Sequence, residues 1–109
     1  MSMRVGAMRV PFLLQSETLI AGDQGGGSLS QWQTVGSFWG RLDAYTKGYR
    51  AALDENITHQ VVTRYRSNLA FQLGQRLAFE DRYFIIRFVR EVDDRQRLVA
   101  LYLEEVRYL

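Results

Sequence analysis

Between Asn56 and Arg66 apolar and polar residues alternate with a period of two. Ile57, His59, Val61, Thr63 and Tyr65 share one parity; Thr58, Gln60, Val62, Arg64 and Arg66 share the other. Successive side chains of a strand point to opposite faces, so this is the pattern of a strand with one face on a core. Similar segments recur at intervals of about ten residues, separated by polar turns. Val10–Ile20 reads as a strand with Gln15 and Glu17 outward, and Pro11 suits a strand start or an edge. Gln31–Asp43 reads as a second strand, with Trp32, Thr34, Gly36, Phe38, Gly40 and Leu42 on one parity. Gly36 and Gly40 mark a bend or bulge in it. Gln75–Phe79, Tyr83–Val92 and Arg97–Val106 complete the set. Tyr83–Val92 is apolar on both parities, Phe84, Ile86 and Phe88 against Tyr83, Ile85 and Val89. One of its sides therefore faces the core and the other a partner or a second layer. The last strand places Val99, Leu101 and Leu103 on one side; a helix over Arg97–Leu109 is the alternative.

The connections carry their own signals. Residues 1–8 have no pattern and read as a frayed end. Ala21–Ser30 is rich in glycine and serine and reads as a flexible connection. A phosphate-binding loop would need Gly-Lys-Ser/Thr, whereas Gly27 is followed by Ser28-Leu29-Ser30. In Ala44–Glu55, Tyr45, Tyr49, Ala52 and Leu53 fall at helical spacing, but Gly48 weakens a helix. We read a long loop with at most one helical turn. So long a loop in a small domain points to function. Together these readings predict one all-β domain over residues 1–109. It is a small antiparallel barrel or sandwich of about six strands, with a long loop between the second and third.

Composition limits the chemistry. The chain has 109 residues, no cysteine and a single histidine. Disulfides, thiolate nucleophiles and cysteine- or His-cluster metal sites are excluded, and His59 is the only imidazole available for acid–base work. On the apolar parity of its strand, with no serine or cysteine partner identifiable in sequence, His59 reads as structural. Asp93-Asp94 reads as turn chemistry and Glu104-Glu105 as a solvated strand end, rather than as a metal or acid–base pair. No cofactor, metal or enzymatic activity is expected. Net charge is +2, and Lys47 is the only lysine among 14 basic residues. Nucleic-acid binders carry a larger or more clustered excess. Arginine also suits carboxylate pairing at interfaces, and the 12 acids make that the simpler role. No segment reaches the roughly 20 apolar residues of a membrane span, and no secretory signal is visible, so an intracellular or particle-borne protein is expected. Two features keep a nucleic-acid-binding barrel open as the alternative. Arg64 and Arg66 share one strand face, and Lys47 and Arg50 in the long loop suit a phosphate backbone.

The order of features is more specific than any one of them. Trp32-Gln33-Thr34-Val35-Gly36-Ser37-Phe38-Trp39-Gly40-Arg41-Leu42 is followed by the variable stretch Ala44–Glu55. Then come Ile57-Thr58-His59-Gln60-Val61-Val62-Thr63-Arg64-Tyr65-Arg66, Gln75-Arg76-Leu77-Ala78-Phe79, Tyr83-Phe84-Ile85-Ile86, and a polar turn before Leu98–Glu105. This succession resembles the head–tail joining family of tailed bacteriophages, also found in gene transfer agents, over roughly Val10–Arg107. Phe38 and Gly40 flank Trp39 where that family often has Val and Ala, and Leu69–Gly74 lacks its usual Gly or Pro signals.

The resemblance implies a connector, stopper or head-completion protein in the neck of a virion or phage-like particle. Such a protein forms a homo-oligomeric ring between a portal or adaptor protein and a tail terminator or tail protein. It helps retain packaged DNA, with no membrane involved. By the same resemblance the Ala44–Glu55 loop points towards the channel, with Tyr45, Lys47, Tyr49 and Arg50 as candidates for non-specific DNA contact. Trp39, Arg41, Arg64, Arg66, Tyr83 and Ile85 are the candidates for subunit contacts.

Overall fold

The structure is a computed structural model that describes residues 9–21, 28–45, 56–66, 68–93, 95 and 97–107. The expected frayed end, the glycine-rich connection at 22–27 and most of the long loop, with Lys47, Tyr49 and Arg50, lie outside the described residues. Six strands are present: β1 (Val10–Ala21), β2 (Ser28–Ala44), β3 (His59–Arg64), β4 (Arg76–Phe79), β5 (Arg82–Asp93) and β6 (Leu98–Val106). They close into an antiparallel barrel in the order β1-β2-β3-β6-β5-β4. The choice between barrel and sandwich is thereby settled. The helical alternative for Arg97–Leu109 is overturned, because Leu98–Val106 pairs with both β3 and β5.

Inward-facing residues of every strand meet in one core. Phe12, Leu14, Phe38, Val61, Leu77, Phe84, Ile86, Val99, Leu101 and Leu103 are buried in it. Phe12 is its hub, in ring contact with Phe38, Phe79 and Phe84. Leu69, between β3 and β4, also reaches the core from a segment with no strand pairing beyond an isolated bridge to Arg66. Gly74 ends that segment with φ at 89°, a conformation that favours glycine.

Two bulges correct the simple alternation. The β1–β2 register shifts between Leu14↔Gly36 and Gln15↔Thr34, which leaves Val35 as an extra residue in β2. Facing flips there. Gly36, Phe38 and Gly40 stay inward, whereas Trp32 and Thr34, expected on the same face, join the outward one. A second shift between Ile86 and Phe88 divides β5. Phe88, expected beside Phe84 and Ile86, turns outward, and Val89 replaces it against the core.

Outside the barrel wall a second apolar cluster forms from Ile57, Val62, Leu98, Ala100 and Tyr102, with Tyr45 and Phe88 packed against it. Val62 was expected on a polar face, so this too is a correction. Here the wall is apolar on both sides because β3, β5 and β6 each send alternate residues to two different clusters.

β1 and β2 are longer than their expected spans. Among the described residues they pair only with each other from Ser16↔Gln33 to Ala21↔Ser28, because β4 meets β1 at Leu13–Gln15 and β3 meets β2 at Gly40–Ala44. The result is a two-stranded arm leaving one rim of the barrel. β3 is shorter than expected. Ile57 and Thr58 precede it, although the Thr58 amide still donates to the Leu103 carbonyl at 2.8 Å.

Candidate assembly site at the barrel rim and outer wall

The end of β2, the start of β3, the β4–β5 turn and the end of β6 share the rim opposite the arm. The 46–55 segment leaves and re-enters here, between Tyr45 and Asn56. Tyr45 marks its root: its amide donates to the Thr58 carbonyl at 2.9 Å and its ring meets Tyr102 edge-on, with centroids 5.7 Å apart. Tyr45 is thus fixed by the outer apolar cluster, not placed at a loop tip.

His59, Arg82 and Glu105 converge beside this root. Arg82 donates to both Glu105 carboxylate oxygens, from Nε at 2.8 Å and from Nη2 at 3.2 Å. Its Nη2 also lies 3.4 Å from His59 Nε2, while His59 Nδ1 lies 2.9 Å from Thr58 Oγ1. Thr58 Oγ1 accepts the Glu105 amide at 2.8 Å and donates to the Leu103 carbonyl at 3.4 Å. A neutral imidazole protonated on Nδ1 satisfies every one of these contacts. It donates to Thr58 and accepts from Arg82. The ring stands edge-on to Phe84 at 5.2 Å, which ties the cluster to the core.

The electrostatics follow from the geometry. Partial burial holds the His59 pKa below its ordinary 6.5; the Glu105 carboxylate opposes this and the Arg82 charge adds to it. The hydrogen bond from Arg82 holds the Glu105 carboxyl below the usual range, against burial and with the Arg82 charge. Both folded groups bind protons less readily than the unfolded chain does. Stability is therefore fully present above pH 6.5 and falls as pH drops through the window below 6.5 and then below 4.5. The urea midpoint is expected to decrease from pH 7 to pH 5, and His59→Gln is expected to flatten that part of the profile. A wild-type midpoint unchanged across this interval would contradict the burial of His59.

The six residues expected at subunit contacts all lie on the outside, but not in one patch. Trp39 is 56% exposed and sits across from Pro11, next to Leu13 at 43%. These side chains line a shallow groove of about 490 Å³ with Ala78 and Glu80. Tyr83 and Ile85 continue the outer wall on β5, half-buried. Arg41 pairs with Asp43 at 3.0 Å on its own strand. Arg64 and Arg66 are exposed where β3 leaves the barrel at the arm's rim. Sequence reasoning missed the Arg82–Glu105 pair, because 23 residues separate its partners and only barrel closure brings them together. It also missed Arg76, whose guanidinium lies between the Trp32 and Tyr83 rings, 4.4 Å from each centroid. That stack and the Gln75–Ser16 hydrogen bond at 3.0 Å fasten the base of the arm to β4 and β5.

Among the described residues the rim holds a His–Arg–Glu cluster, and the hydroxyl beside its imidazole, Thr58 Oγ1, accepts from the Glu105 amide and donates to the Leu103 carbonyl. Among the described residues no group of three metal-binding side chains occurs, and no helix is long and apolar enough to cross a membrane. A family model described as phage head completion protein matches residues 3–106. The chain belongs to the phage head completion protein family. It is a structural protein of the phage head–tail region and a component of the virion, as the resemblance in sequence implied. The family's role is structural rather than enzymatic.

Solved structures share the fold. A chain in the virion of a native gene transfer agent particle is similar with a TM-score of 0.64 and 26% identity, over 88% of this head completion protein and 93% of that chain. The solution structure of protein SF1141 from Shigella flexneri 2a has a TM-score of 0.67 at 16% identity, over 94% and 96% of the two chains, and shares the fold. No curated protein sequence is similar enough to count as a match.

Proposed function

We propose that this head completion protein forms a homo-oligomeric ring in the neck of a phage or gene-transfer-agent-like particle. The ring joins the DNA-filled head, through a portal or adaptor protein, to a tail terminator or tail protein, and it helps close the DNA channel. The family match across residues 3–106 carries this reading, and the similar chain in a gene transfer agent virion supports it. The outer wall fits a subunit packed among neighbours. It exposes Trp39 and Leu13 and is apolar on both sides at β3–β6. Heterologous contacts of this kind close into a ring when the rotation permits.

The 46–55 segment, rooted at one rim by Tyr45 and Thr58, is the part we assign to the channel. Lys47 and Arg50 would meet phosphates there without reading sequence. The test is electron microscopy of particles made without this protein. Tail-less heads that lose their DNA are expected. Normal tailed particles that retain DNA would overturn the assignment. The alternative reading, a nucleic-acid-binding barrel, predicts instead that the isolated chain binds DNA with a steep salt dependence lost in Arg64→Ala and Arg66→Ala.

A further inference from the structure

Strand edges that lack a neighbour offer unpaired amides and carbonyls to any other chain, and proteins commonly blunt them with charges, proline or bulges. Closing the barrel leaves few such edges among the described residues. Val10–Phe12 of β1, ahead of its pairing with β4, contains Pro11. Beyond Ile86, β5 has no β4 partner, and this stretch carries Arg87, Arg90, Glu91 and two register shifts. β6 continues past its last β3 partner with Glu104 and Glu105. The arm differs. Ser28–Thr34 of β2 pairs with β1 in unbroken register, and no strand among the described residues pairs with its other side. Its sequence, Ser-Leu-Ser-Gln-Trp-Gln-Thr, contains no charge and no proline, and the bulge begins only at Val35.

On the opposite side of the arm, Ser16–Ala21 of β1 pairs with no second strand among the described residues, although the Gln75 side chain donates to Ser16 Oγ at 3.0 Å, and this edge bears one charge, Glu17. A two-stranded ribbon is marginal in water, and a third strand makes it a stable sheet. We propose that the open edge of β2 over Ser28–Thr34 receives the Ser16–Ala21 edge of β1 from a second copy of this chain. The contact is heterologous, since each copy gives one edge and accepts on the other, so it repeats around a ring instead of ending at a dimer. This rests on the ring reading above and names the surface that would build it.

Charge supports the pairing. β3 parts from β2 after Gly40↔Thr63 and runs on into Arg64 and Arg66, and Arg66 bridges to Leu69, which packs on Gly36 of β2. Both arginines therefore flank the barrel end of the vacant edge. An incoming β1 laid antiparallel sets Ser16 and Glu17 at that end, facing Arg66. Glu17, Arg64 and Arg66 are all exposed, and none joins an ion pair among the described residues. Burial between subunits turns such a pair from a negligible surface contact into one that selects partner and register.

The test restores the full-length chain to particles made without it and counts its copies per particle. Glu17→Arg and Arg66→Glu are each expected to lower incorporation about tenfold, and the double exchange to recover it. Circular dichroism and the thermal midpoint of each isolated variant should match wild type, since both side chains lie in solvent. Single exchanges that incorporate normally, or a folded double exchange that does not recover, would overturn the edge pairing and leave the ring reading standing. Normal particles made with no copy of the chain would remove the ring reading itself.

Discussion

Phe84→Ala is expected to lower the free energy of unfolding by about 3–5 kcal/mol. Phe84 is fully buried and stands edge-on to Phe12 at 6.3 Å on one side and to His59 at 5.2 Å on another, with the Arg82 guanidinium 5.1 Å from its ring centre. Truncation opens a void that the barrel wall cannot fill, because hydrogen-bonded neighbours hold each strand in place. A domain of this size has a total stability of about 5–15 kcal/mol, so the loss takes a large share of it. Urea denaturation should show a sharply lower midpoint with little change in slope. The cluster at the rim should loosen as well, since the imidazole loses the ring it rests on. The acid-side fall in stability assigned to His59 should therefore shrink in this variant. Phe84→Leu keeps most of the volume and is expected to cost much less. Equal losses for the two variants would mean that volume at this position does not matter.

Gly40→Ala is the second large effect, about 1–3 kcal/mol of lost stability from adding one methyl group. A Cβ at Gly40 would sit 2.7 Å from Val61 Cγ1 and 3.4 Å from the Val62 carbonyl oxygen, with Phe12 Cε2 at 3.5 Å. Val61 is fully buried, and the carbonyl belongs to the strand that pairs with β2 at this point. Neither can retreat without moving the wall. Gly36→Ala is the control. There the added methyl lands on Leu69 Cδ1, the far end of a flexible side chain on a segment outside the strands. It should cost clearly less by thermal or urea unfolding. The reverse order would show that the 69–75 segment is held more rigidly than the barrel itself.

The two glycines show how sequence and structure divide the information. Gly36 and Gly40 announced an irregularity in β2, and one exists, but the bulge residue is Val35. Glycine fits at 36 and 40 because Leu69 and Val61 press against the strand from the inside, and only at 40 is the neighbour unable to yield. Nothing local in Gln31–Asp43 encodes those neighbours, which come from residues 21 or more positions away. β5 repeats the lesson. Its apolar residues on both parities signalled a core face and a second contact face; the core face is buried, while Tyr83 and Ile85 on the other are half-buried. Which residue went to which face depended on the shift at Ile86/Phe88, which a period of two cannot express.

At the candidate site, the sequence picked out residues without their partners. Tyr45 was read as part of a loop and proves to be its root, pinned by Tyr102. Glu105 was read as a solvated strand end and proves to be the carboxylate that holds Arg82. Trp39, Arg64 and Arg66 were expected outside and are outside. That much follows from parity alone, because a polar or bulky residue opposite a core position has only one other face to occupy.

What the sequence by itself determined is the set of strands, their order, the absence of thiol and His-cluster chemistry, and, through the order of its motifs, the family. These are properties of local alternation, composition and spacing: the strands are complete within windows of a dozen residues, the composition in a simple count, and the family in the succession of motifs along Val10–Arg107. Only the tertiary structure decided that the sheet closes and that β1 and β2 overrun it as an arm. It also decided that His59, Arg82 and Glu105 meet, and that the Ser28–Thr34 edge has no second strand beside it among the described residues. Closure and register depend on hydrogen bonds between residues far apart in the chain, and an edge is free only when no other strand comes to cover it.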